Sequence, residues 1–424
     1  MDHVMGRILD PAVRFPEASS EVNPFVRYRA LTAAHALALA GGMDDRAFVG
    51  LVRKLDAAIT VAWGTGFHVT PFATNAALSA AVGATVAVKD ETRNVSGSHK
   101  GRHLMGLAVY GEVRARLGLD AAAGARLAIA SCGNAALAAA VVARAWGRPL
   151  DVFIPPDANA NVVTRLHALG AEVHVCVRDP AVPGDPCTHA FRKAVAAGAS
   201  PFCCQGSDNG LTIEGGETLA WELIDQLGGR RLDRLFVQVG GGALASACIQ
   251  GFEDAVRLGV PVQLPRLHAV QTRGGFPLWR AWDHLARRIA GRLRITFAEG
   301  DAALAASIAR HASSPEVADE LGYALRHRAE FMWPWETEPH SVAHGILDDE
   351  TYDWFAIVRG MIHTGGYPIV VDEARLLEAN ALGREATHID ADETGTAGLA
   401  GLLELGGELR PDELVAVIFS GHRR

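Results

Sequence analysis

Strands and helices alternate along two long stretches of the chain, and this alternation restricts the possible folds more than any other feature. In the first stretch, apolar segments at 126–130, 150–156 and 171–177 are separated by segments of helical periodicity at 134–147 and 159–170. Apolar strands joined by helices of this length predict parallel sheet with right-handed crossovers. We therefore predict an α/β fold in which this stretch forms a small sheet of its own.

The second stretch repeats the pattern closer to the C-terminus. Between its two halves, residues 277–345 are rich in Trp, Arg and His, and we expect them to form helices that cover one face. The N-terminal part predicts two helices within 26–63 and a strand at 84–89. The remaining predicted elements are a helix at 213–229, a strand at 233–240, a helix at 243–259, strands at 266–271 and 367–372, helices at 373–383 and 395–406, and a strand at 413–421.

Charge and composition exclude several classes of protein. The 424-residue chain carries a net charge of −8 with both signs interspersed, so no basic block indicates a nucleic-acid or membrane-surface partner. No uncharged apolar run approaches the ~18 residues of a membrane-spanning helix. The six cysteines contain no CxxC pair, which favours reduced thiols. Together these features predict a cytoplasmic protein.

Lysine is rare in this chain, and one lysine has an unusual setting. Of 40 basic residues only four are lysines, and Lys100 follows a Ser-Gly-Ser-His turn and precedes an apolar helix. A desolvated lysine amine is a nucleophile and a base, whereas guanidinium stays protonated and forms no imine. Lys54 and Lys193 fit the ordinary role of a surface charge. Lys100 is therefore predicted to react with an aldehyde.

Two glycine-containing turns each connect a predicted strand to a predicted helix. GGGAL at 240–244 suits a phosphate, because glycines allow a tight turn and a helix N-terminus attracts anions; a purely structural turn is the alternative. SCGN at 131–134 could cap its helix or offer N–H groups to a carboxylate. Asn134 can also donate its amide to a neighbouring oxygen.

A reactive lysine, a phosphate cradle and an amide for a phenolic oxygen are together what pyridoxal phosphate requires. A further element is Ser420, in FSGH at 419–422, whose hydroxyl could bond to a pyridine nitrogen. The sequence therefore predicts pyridoxal 5'-phosphate as the cofactor.

These motifs resemble those of the fold-type-II, or tryptophan-synthase-β-like, family of pyridoxal-phosphate enzymes, and they occur in the family's order. The matching segments are TPF (70–72), KDETRNVSGSHKGR (89–102), SCGN (131–134), GGETLAWE (215–222), GGGAL (240–244), TGTAGLAGL (394–402) and VAVIFSGH (415–422).

The resemblance implies a role for each matching residue. Lys100 would form the Schiff base, Asn134 would contact the phenolic oxygen and Ser420 would face the ring nitrogen. Gly240, Gly241, Gly242, Ala243 and Leu244 would bind the phosphate. Ser131, Cys132, Gly133 and Asn134 would bind the substrate carboxylate, and His99 is a further candidate for contact with the substrate. We assign no metal ligands.

The resemblance also implies two domains, each a mostly parallel sheet flanked by helices, and a homodimer that acts on a small amino acid. The expected large domain comprises residues 1–105 and 205–424. The expected small, mobile, substrate-binding domain comprises residues 106–204.

The motifs favour more than one reaction. GGETLAWE and Gly101 resemble serine/threonine dehydratases and ammonia-lyases, because threonine synthases usually carry an aspartate after the lysine. The first hypothesis is accordingly α,β-elimination from a small β-substituted amino acid, through an aldimine, a carbanion and an aminoacrylate. Residues 354–380 instead resemble threonine synthase, so a β- or γ-replacement synthase is the alternative. His99 resembles tryptophan synthase β and departs from the dehydratase pattern.

Two further possibilities remain from the sequence. A catalytically dead protein that binds pyridoxal phosphate is disfavoured by the intact motifs. Residues 330–345 could line a substrate pocket or pack as aromatic cover, with Trp333, Trp335, His340 and His344 as the candidates.

Overall fold

The computed structural model describes residues 12–423 apart from 18, 120–124, 179–184 and 338. The described residues divide into two compact units. The first unit contains Thr70–Thr92 and Leu223–Arg423, and the second contains Arg93–Glu222 and the described residues before Thr70. The domain boundaries expected from the sequence, at 105/106 and 204/205, stay a prediction.

The elements alternate along much of the chain, as the sequence predicts. The helices are α1 Pro24–Arg27, α2 Ala33–Ala40, α3 Asp45–Trp63, α4 Ala76–Val82, α5 Lys100–Arg116, α6 Asn134–Trp146, α7 Ala160–Ala168, α8 Pro186–Ala196, α9 Leu211–Leu227, α10 Ala243–Arg257, α11 Pro277–Leu293, α12 Asp301–Ala309, α13 Pro315–Arg326, α14 Trp354–Thr364, α15 Glu373–Thr387 and α16 Glu393–Glu404. The strands are β1 Phe72–Thr74, β2 Thr85–Asp90, β3 Leu127–Ala130, β4 Leu150–Ile154, β5 Glu172–Val175, β6 Ser200–Pro201, β7 Arg234–Gln238, β8 Arg266–Thr272, β9 Ile369–Val371 and β10 Leu414–Phe419.

The first unit is built on a six-stranded sheet in the order β1-β2-β10-β7-β8-β9. Its pairings are parallel except for that of β1 with β2. The central strands β7 and β10 are buried along their whole length, as strands covered on both faces must be. Because β2, β10, β7, β8 and β9 run in one direction, their carboxyl ends share one edge of the sheet. Ligands bind at this edge in open α/β sheets.

The second unit contains a four-stranded parallel sheet in the order β5-β4-β3-β6. β3 and β4 are its central strands, and they are almost completely buried. Helix α6 packs on both of them, and the run Ala136–Ala143 is buried because its small side chains allow close approach to the sheet.

The predicted α/β fold, with two mostly parallel sheets flanked by helices, is confirmed. Residues 277–326 form three helices, in agreement with the helices expected within residues 277–345. The sequence interpretation missed β1, α4 and β6, which are short, and also α8 and α14. No helix within the described ranges is long and apolar enough to cross a membrane.

Candidate functional site

Lys100 is the first residue of α5, and the turn that leads to it is buried. In this turn Ser96 and Gly97 both have left-handed backbone, with φ of 63° and 72°. A serine in this region costs on the order of 1–2 kcal/mol, so the surrounding packing must hold the turn. The Asn94 side chain accepts a 2.7 Å hydrogen bond from the Val95 N–H. The side chain of Lys100 is half-buried.

Two residues near Lys100 in the sequence, Gly101 and Ser98, are buried and help to shape its surroundings. A Cβ on Gly101 would lie 2.9 Å from the carbonyl oxygen of Val95, so only glycine fits directly after the lysine. Ser98 has a buried hydroxyl that finds no hydrogen-bond partner within the described part of the chain. A buried hydroxyl in this state is available to a ligand. Ser98 is missing from the sequence-based candidates because nothing in the sequence distinguishes it from other serines in turns.

His99 is buried directly before the lysine. Burial is the main cause that lowers the pKa of His99 well below 6.5, and the neighbouring charges of Lys100, His103 and Arg102 act in the same direction. The imidazole of His99 is therefore neutral at physiological pH. Its ring lies edge-on to that of His103, with 5.7 Å between the ring centroids.

The helix that carries Lys100 is held against α9 by a buried ion pair. Arg102 donates to Glu222 over 2.6 Å and 3.0 Å, and neither side chain is exposed. At the same crossing, a Cβ on Gly106 would lie 2.8 Å from the Cα of Gly215. The glycines let the two helices approach closely, and the ion pair fixes their register. The first turn of α5 is thereby held in place.

The SCGN turn connects β3 to α6 and leaves the start of that helix open. Gly133 is the N-cap residue, and no described side chain caps α6. The capping role that the sequence allowed for Ser131 and Cys132 is therefore not used, and Cys132 is exposed. Uncapped N–H groups at a helix N-terminus suit a carboxylate. The turn has the features of an anion site.

Asn134 is the first residue of α6. Its side-chain oxygen is buried and has no hydrogen-bond partner among the residues described. Helix α6 packs against both α5 and the turn at 95–97 within the same unit. Asn134 and Lys100 thus begin two helices that pack together.

The glycine-rich turn of the first unit connects β7 to α10. Gly240 and Gly241 follow the strand, and Gly242 has φ of 98°, which favours glycine. Helix α10 begins with Ala243 and Leu244, and no side chain in the described ranges caps it. Its uncapped N–H groups and the positive end of its dipole form a site for an anion such as phosphate.

A later segment, residues 346–353, supports this turn. Thr351 donates its hydroxyl to the Gly240 carbonyl over 2.9 Å, and the Asp353 N–H donates to the Gly241 carbonyl over 3.0 Å. A Cβ on Gly240 would lie 2.8 Å from the Cα of Ile346. The carbonyls of Gly240 and Gly241 are thus engaged, whereas no described side chain caps the helix that follows. The sequence analysis missed this supporting segment, because no local pattern links residues more than a hundred positions apart.

Ser420 directly follows β10 and is buried. Its N–H donates to the Gly395 carbonyl over 3.3 Å, and a Cβ on Gly395 would lie 2.3 Å from the Ser420 carbonyl oxygen. Because β10 pairs in parallel with β7, Ser420 and the Gly240 turn lie at the same edge of the sheet. The candidate residues therefore form two groups: Ser420 and 240–244 in the first unit, and His99, Lys100 and 131–134 in the second.

The two tryptophans of the 330–345 segment, Trp333 and Trp335, contact Arg280 of α11. The Arg280 guanidinium lies 3.7 Å from the Trp333 ring centroid and 5.1 Å from that of Trp335. The side chains of His340 and His344 are exposed. These contacts account for the two tryptophans as packing residues.

Three side chains of the small sheet lie close enough to hold a metal ion: Asp151, Glu172 and His174. Arg126 already donates to Asp151 over 2.7 Å and to Glu172 over 2.6 Å. The hydrogen bond between Arg126 and Asp151 is the main cause that lowers the pKa of Asp151. Because the guanidinium supplies the positive charge, the cluster is an ion-pair network.

Comparison with known proteins places this geometry in a wider group. A family model described as "Pyridoxal-phosphate dependent enzyme" matches residues 65–308. A mouse protein named serine dehydratase-like is 32% identical over 212 residues, covering 49% of this chain and 58% of the relative. Threonine synthase of Methanosarcina acetivorans is 29% identical over 201 residues, covering 46% of this chain and 45% of the relative. The chain thus spans about half the length of these relatives.

Solved structures share the fold at low sequence identity. A threonine deaminase from T.th. superposes with a TM-score of 0.61 and 22% identity, and the match covers 88% of this chain and 98% of that one. At this identity the likeness concerns the fold alone.

Proposed function

This chain belongs to the pyridoxal-phosphate dependent enzyme family and is a fold-type-II enzyme with pyridoxal phosphate as its cofactor, and we propose that it is an α,β-elimination lyase. Its proposed substrates are small amino acids with a leaving group on the β-carbon. The proposed products are the expelled β-substituent, ammonia from the α-amino group and a keto acid, with water as the only co-reactant.

The residues present fit the cofactor. The Gly240 turn ends in an uncapped helix, which suits the phosphate. The side-chain oxygen of Asn134 is buried without a partner within the described ranges, and we assign the NH2 group of the same side chain as donor to the ring oxygen of the cofactor. We assign Ser420 to the ring nitrogen and Lys100 to the aldehyde.

Gly101 is the observation that carries the choice of elimination over replacement. Threonine synthases usually have an aspartate directly after the lysine, and a Cβ at this position would lie 2.9 Å from the Val95 carbonyl oxygen. An aspartate would need the buried turn to move. The packing around Lys100 is therefore suited to the dehydratase and ammonia-lyase pattern.

Each group in the proposed site has a definite task. Bound pyridoxal phosphate supplies a ring that stabilises negative charge on the substrate α-carbon. The uncapped N–H groups of the first turn of α6 orient the substrate carboxylate. The Lys100 amine would hold the aldehyde of the cofactor and would serve as the base for the substrate α-proton. The neutral imidazole of His99 adds no second positive charge next to that amine.

The relatives support a dehydratase-like activity without extending over the whole chain. Serine dehydratase-like proteins of mouse and rat match at 32% and 31% identity. The shared segment of the mouse relative covers 58% of its length, so the activity of the whole protein is part of the proposal.

The test is a substrate panel with coupled product assays. Purified holoenzyme is titrated with serine, threonine, diaminopropionate, hydroxyaspartate and O-phosphohomoserine, and ammonia, keto acid and phosphate are measured. We expect ammonia and keto acid in a 1:1 ratio from serine, threonine or hydroxyaspartate, or in a 2:1 ratio from diaminopropionate, whose β-leaving group is itself ammonia. Lys100→Ala should lose both turnover and the visible absorbance of the bound cofactor, whereas the exposed-site control Lys54→Ala should keep both.

The second candidate function is a threonine-synthase-like replacement, favoured by the relative from Methanosarcina acetivorans and the resemblance of residues 354–380. Turnover of O-phosphohomoserine alone, with release of phosphate, would establish it in place of elimination. Bound cofactor without turnover of any panel member would instead favour the inactive binding protein.

A further inference from the structure

A cavity of about 570 Å³ lies in the first unit and is lined in part by the edge strand β9; we call it the β9 cavity. Its volume is within the roughly 300–1,000 Å³ that is usual for small-molecule sites. All of its lining residues belong to the first unit, and they include neither residues 240–244 nor Ser420. The β9 cavity therefore has no part in the cofactor site described above.

The walls of the β9 cavity are mostly apolar, and their own contacts hold them in place. The rings of Phe276 and Trp279 lie edge-on with 5.9 Å between their centroids, and Phe276 also lies 4.6 Å from the ring of Trp335. The buried side chain of Gln271 accepts hydrogen bonds from the N–H groups of Leu278 over 2.9 Å and of Trp279 over 3.1 Å. The start of α11 is thereby fixed to β8. Walls held in this way can receive an apolar group without rearrangement.

One carboxylate lines the cavity without a cation of its own. Asp301 is half-buried, and one of its oxygens accepts the indole N–H of Trp279 over 2.8 Å, while the other has no hydrogen-bond partner among the described residues. The charges that act on Asp301 are those of Asp283 and Arg287, which are paired with each other over 2.7 Å. Burial is the main cause that raises the pKa of Asp301. A cationic group of a ligand would offset this loss of solvation.

Arg273 supplies the opposite charge. It directly follows β8, and its N–H donates to the Val371 carbonyl over 2.9 Å, which ties its backbone to β9. Its guanidinium is exposed and makes no hydrogen bond or ion pair with any residue that the structure describes. Guanidinium groups bind carboxylates through two parallel hydrogen bonds. Arg273 is therefore available to an anionic group of a ligand.

The main chain of β9 adds one donor and one acceptor. Within the described ranges β9 pairs with β8 alone. Because the Val371 carbonyl faces β8, the N–H and the carbonyl of Val370, the preceding residue of the strand, face the other way. Val370 also lines the cavity. A ligand beside Val370 can thus form hydrogen bonds to the main chain.

The balance of charges restricts the kind of ligand. A phosphate ester or a fatty acid brings only negative charge, which the half-buried carboxylate of Asp301 would repel, and a polyamine would be repelled by Arg273. A zwitterion matches both side chains. An α-amino acid carries its ammonium and its carboxylate on one carbon, which leaves its side chain for the apolar walls.

We propose that the β9 cavity is a second amino-acid site, which binds an α-amino acid with a large apolar side chain. Its carboxylate bonds to Arg273, its ammonium bonds to Asp301, and its side chain contacts Phe276 and Trp279. The bound amino acid is not consumed there, because no residue assigned to the cofactor lines the cavity. The proposal does not depend on which reaction the enzyme catalyses.

Calorimetry with matched ligands tests the recognition. Holoenzyme is titrated with L-phenylalanine, with 3-phenylpropionate, which lacks the ammonium, and with phenethylamine, which lacks the carboxylate. We expect L-phenylalanine to bind once per chain and each analogue to bind at least about tenfold more weakly, because each loses one charged hydrogen-bonding group. Equal affinities for the three ligands, or no binding of L-phenylalanine in the millimolar range, would overturn the proposal.

Variants locate the bound amino acid. Arg273→Gln and Asp301→Asn should each weaken L-phenylalanine binding at least about tenfold, and the asparagine still offers an oxygen to the Trp279 N–H. Arg292→Gln, at an exposed arginine of α11, is the matched control and should bind normally. Thermal unfolding and the cofactor absorbance check that each variant is folded.

The cofactor absorbance also separates the two sites. An amino acid that reacts with the bound cofactor changes the visible spectrum, whereas L-phenylalanine in the β9 cavity should leave it unchanged. A spectral change that accompanies the calorimetric binding, with an affinity that neither Arg273→Gln nor Asp301→Asn alters, would place the ligand at the cofactor and contradict the proposal.

Discussion

At the scale of single residues, the surroundings of each lysine decide its chemistry. Lys89 is completely buried, and its ammonium donates over 2.8 Å to the Thr70 carbonyl and over 2.8 Å to the Gln226 side chain. Lys89 is therefore engaged in the structure. Lys54 and Lys193 are exposed, whereas Lys100 is half-buried at the start of a helix. The sequence singles out Lys100 by its turn, and the structure separates it from the equally rare Lys89.

The residue after Lys100 gives the first prediction. We expect Gly101→Asp to lower turnover at least about a hundredfold, since a displacement of the lysine near 1 Å costs that much, and the new side chain meets the Val95 carbonyl. Steady-state kinetics on the best panel substrate measures the loss. Gly50→Asp is the control, because a Cβ there has no neighbour within 4 Å among described residues. Near-normal turnover in Gly101→Asp would contradict the packing argument for elimination.

At the scale of elements, the crossing of α5 and α9 links the lysine to the GGETLAWE motif. The sequence shows Arg102 and Glu222 as ordinary charged residues in two separate motifs. In the structure they form a completely buried pair beside the Gly106–Gly215 contact. A buried ion pair is weak evidence for stability as such, but removing one partner leaves the other charge uncompensated. The motif therefore serves helix packing as well as any role near the substrate.

The second prediction concerns this pair. Glu222→Gln should lower the free energy of unfolding by about 3–5 kcal/mol, because the buried Arg102 guanidinium loses the negative charge of Glu222. Glu378→Gln removes a partner of Arg375 that is 57% exposed, and should cost less than about 1 kcal/mol. Urea unfolding of the two variants measures the difference. Similar losses in both would mean that the buried pair contributes no more than a surface pair.

At the scale of the whole molecule, buried neutral histidines make the fold sensitive to acid. Burial lowers the pKa of His268 to about 3, and its Nδ1 is hydrogen-bonded to the Tyr367 carbonyl over 3.1 Å. His99 is shifted in the same direction. Below the unfolded-state pKa near 6.5, the unfolded chain binds protons that the folded chain does not. The free energy of unfolding should therefore fall as the pH drops from about 6.5 towards 3.

The third prediction isolates His268. His268→Asn keeps a donor for the Tyr367 carbonyl and removes the titrating ring, so the slope of unfolding free energy against pH should decrease by about 1.4 kcal/mol per unit between pH 6 and 4. The exposed His311→Asn should leave this slope unchanged. Urea titrations at several pH values provide the measurement. An unchanged slope in His268→Asn would show that this histidine takes up protons equally in both states.

The sequence by itself determined the α/β fold class and the cofactor. The spacing of apolar residues between 126 and 177 predicts strands and helices, because side chains repeat every two residues in a strand and about every 3.6 residues in a helix. Likewise, Gly242 and Gly97 adopt left-handed backbone, a local requirement that a short motif records. Patterns of this kind survive in a linear sequence. The residue roles inferred from them, including those of Asn134 and Ser420, stay predictions.

Only the tertiary structure decided which groups are buried, paired or open. It showed the Arg102–Glu222 pair, the support of the Gly240 turn by Thr351 and Asp353, and a start of α6 that no described side chain caps. It also placed β5 at an edge of the small sheet, paired with β4 alone among the described residues. These features join positions far apart in the chain. The energies of these interactions come from burial and from contacts between distant residues, and the local spacing of apolar residues does not record them.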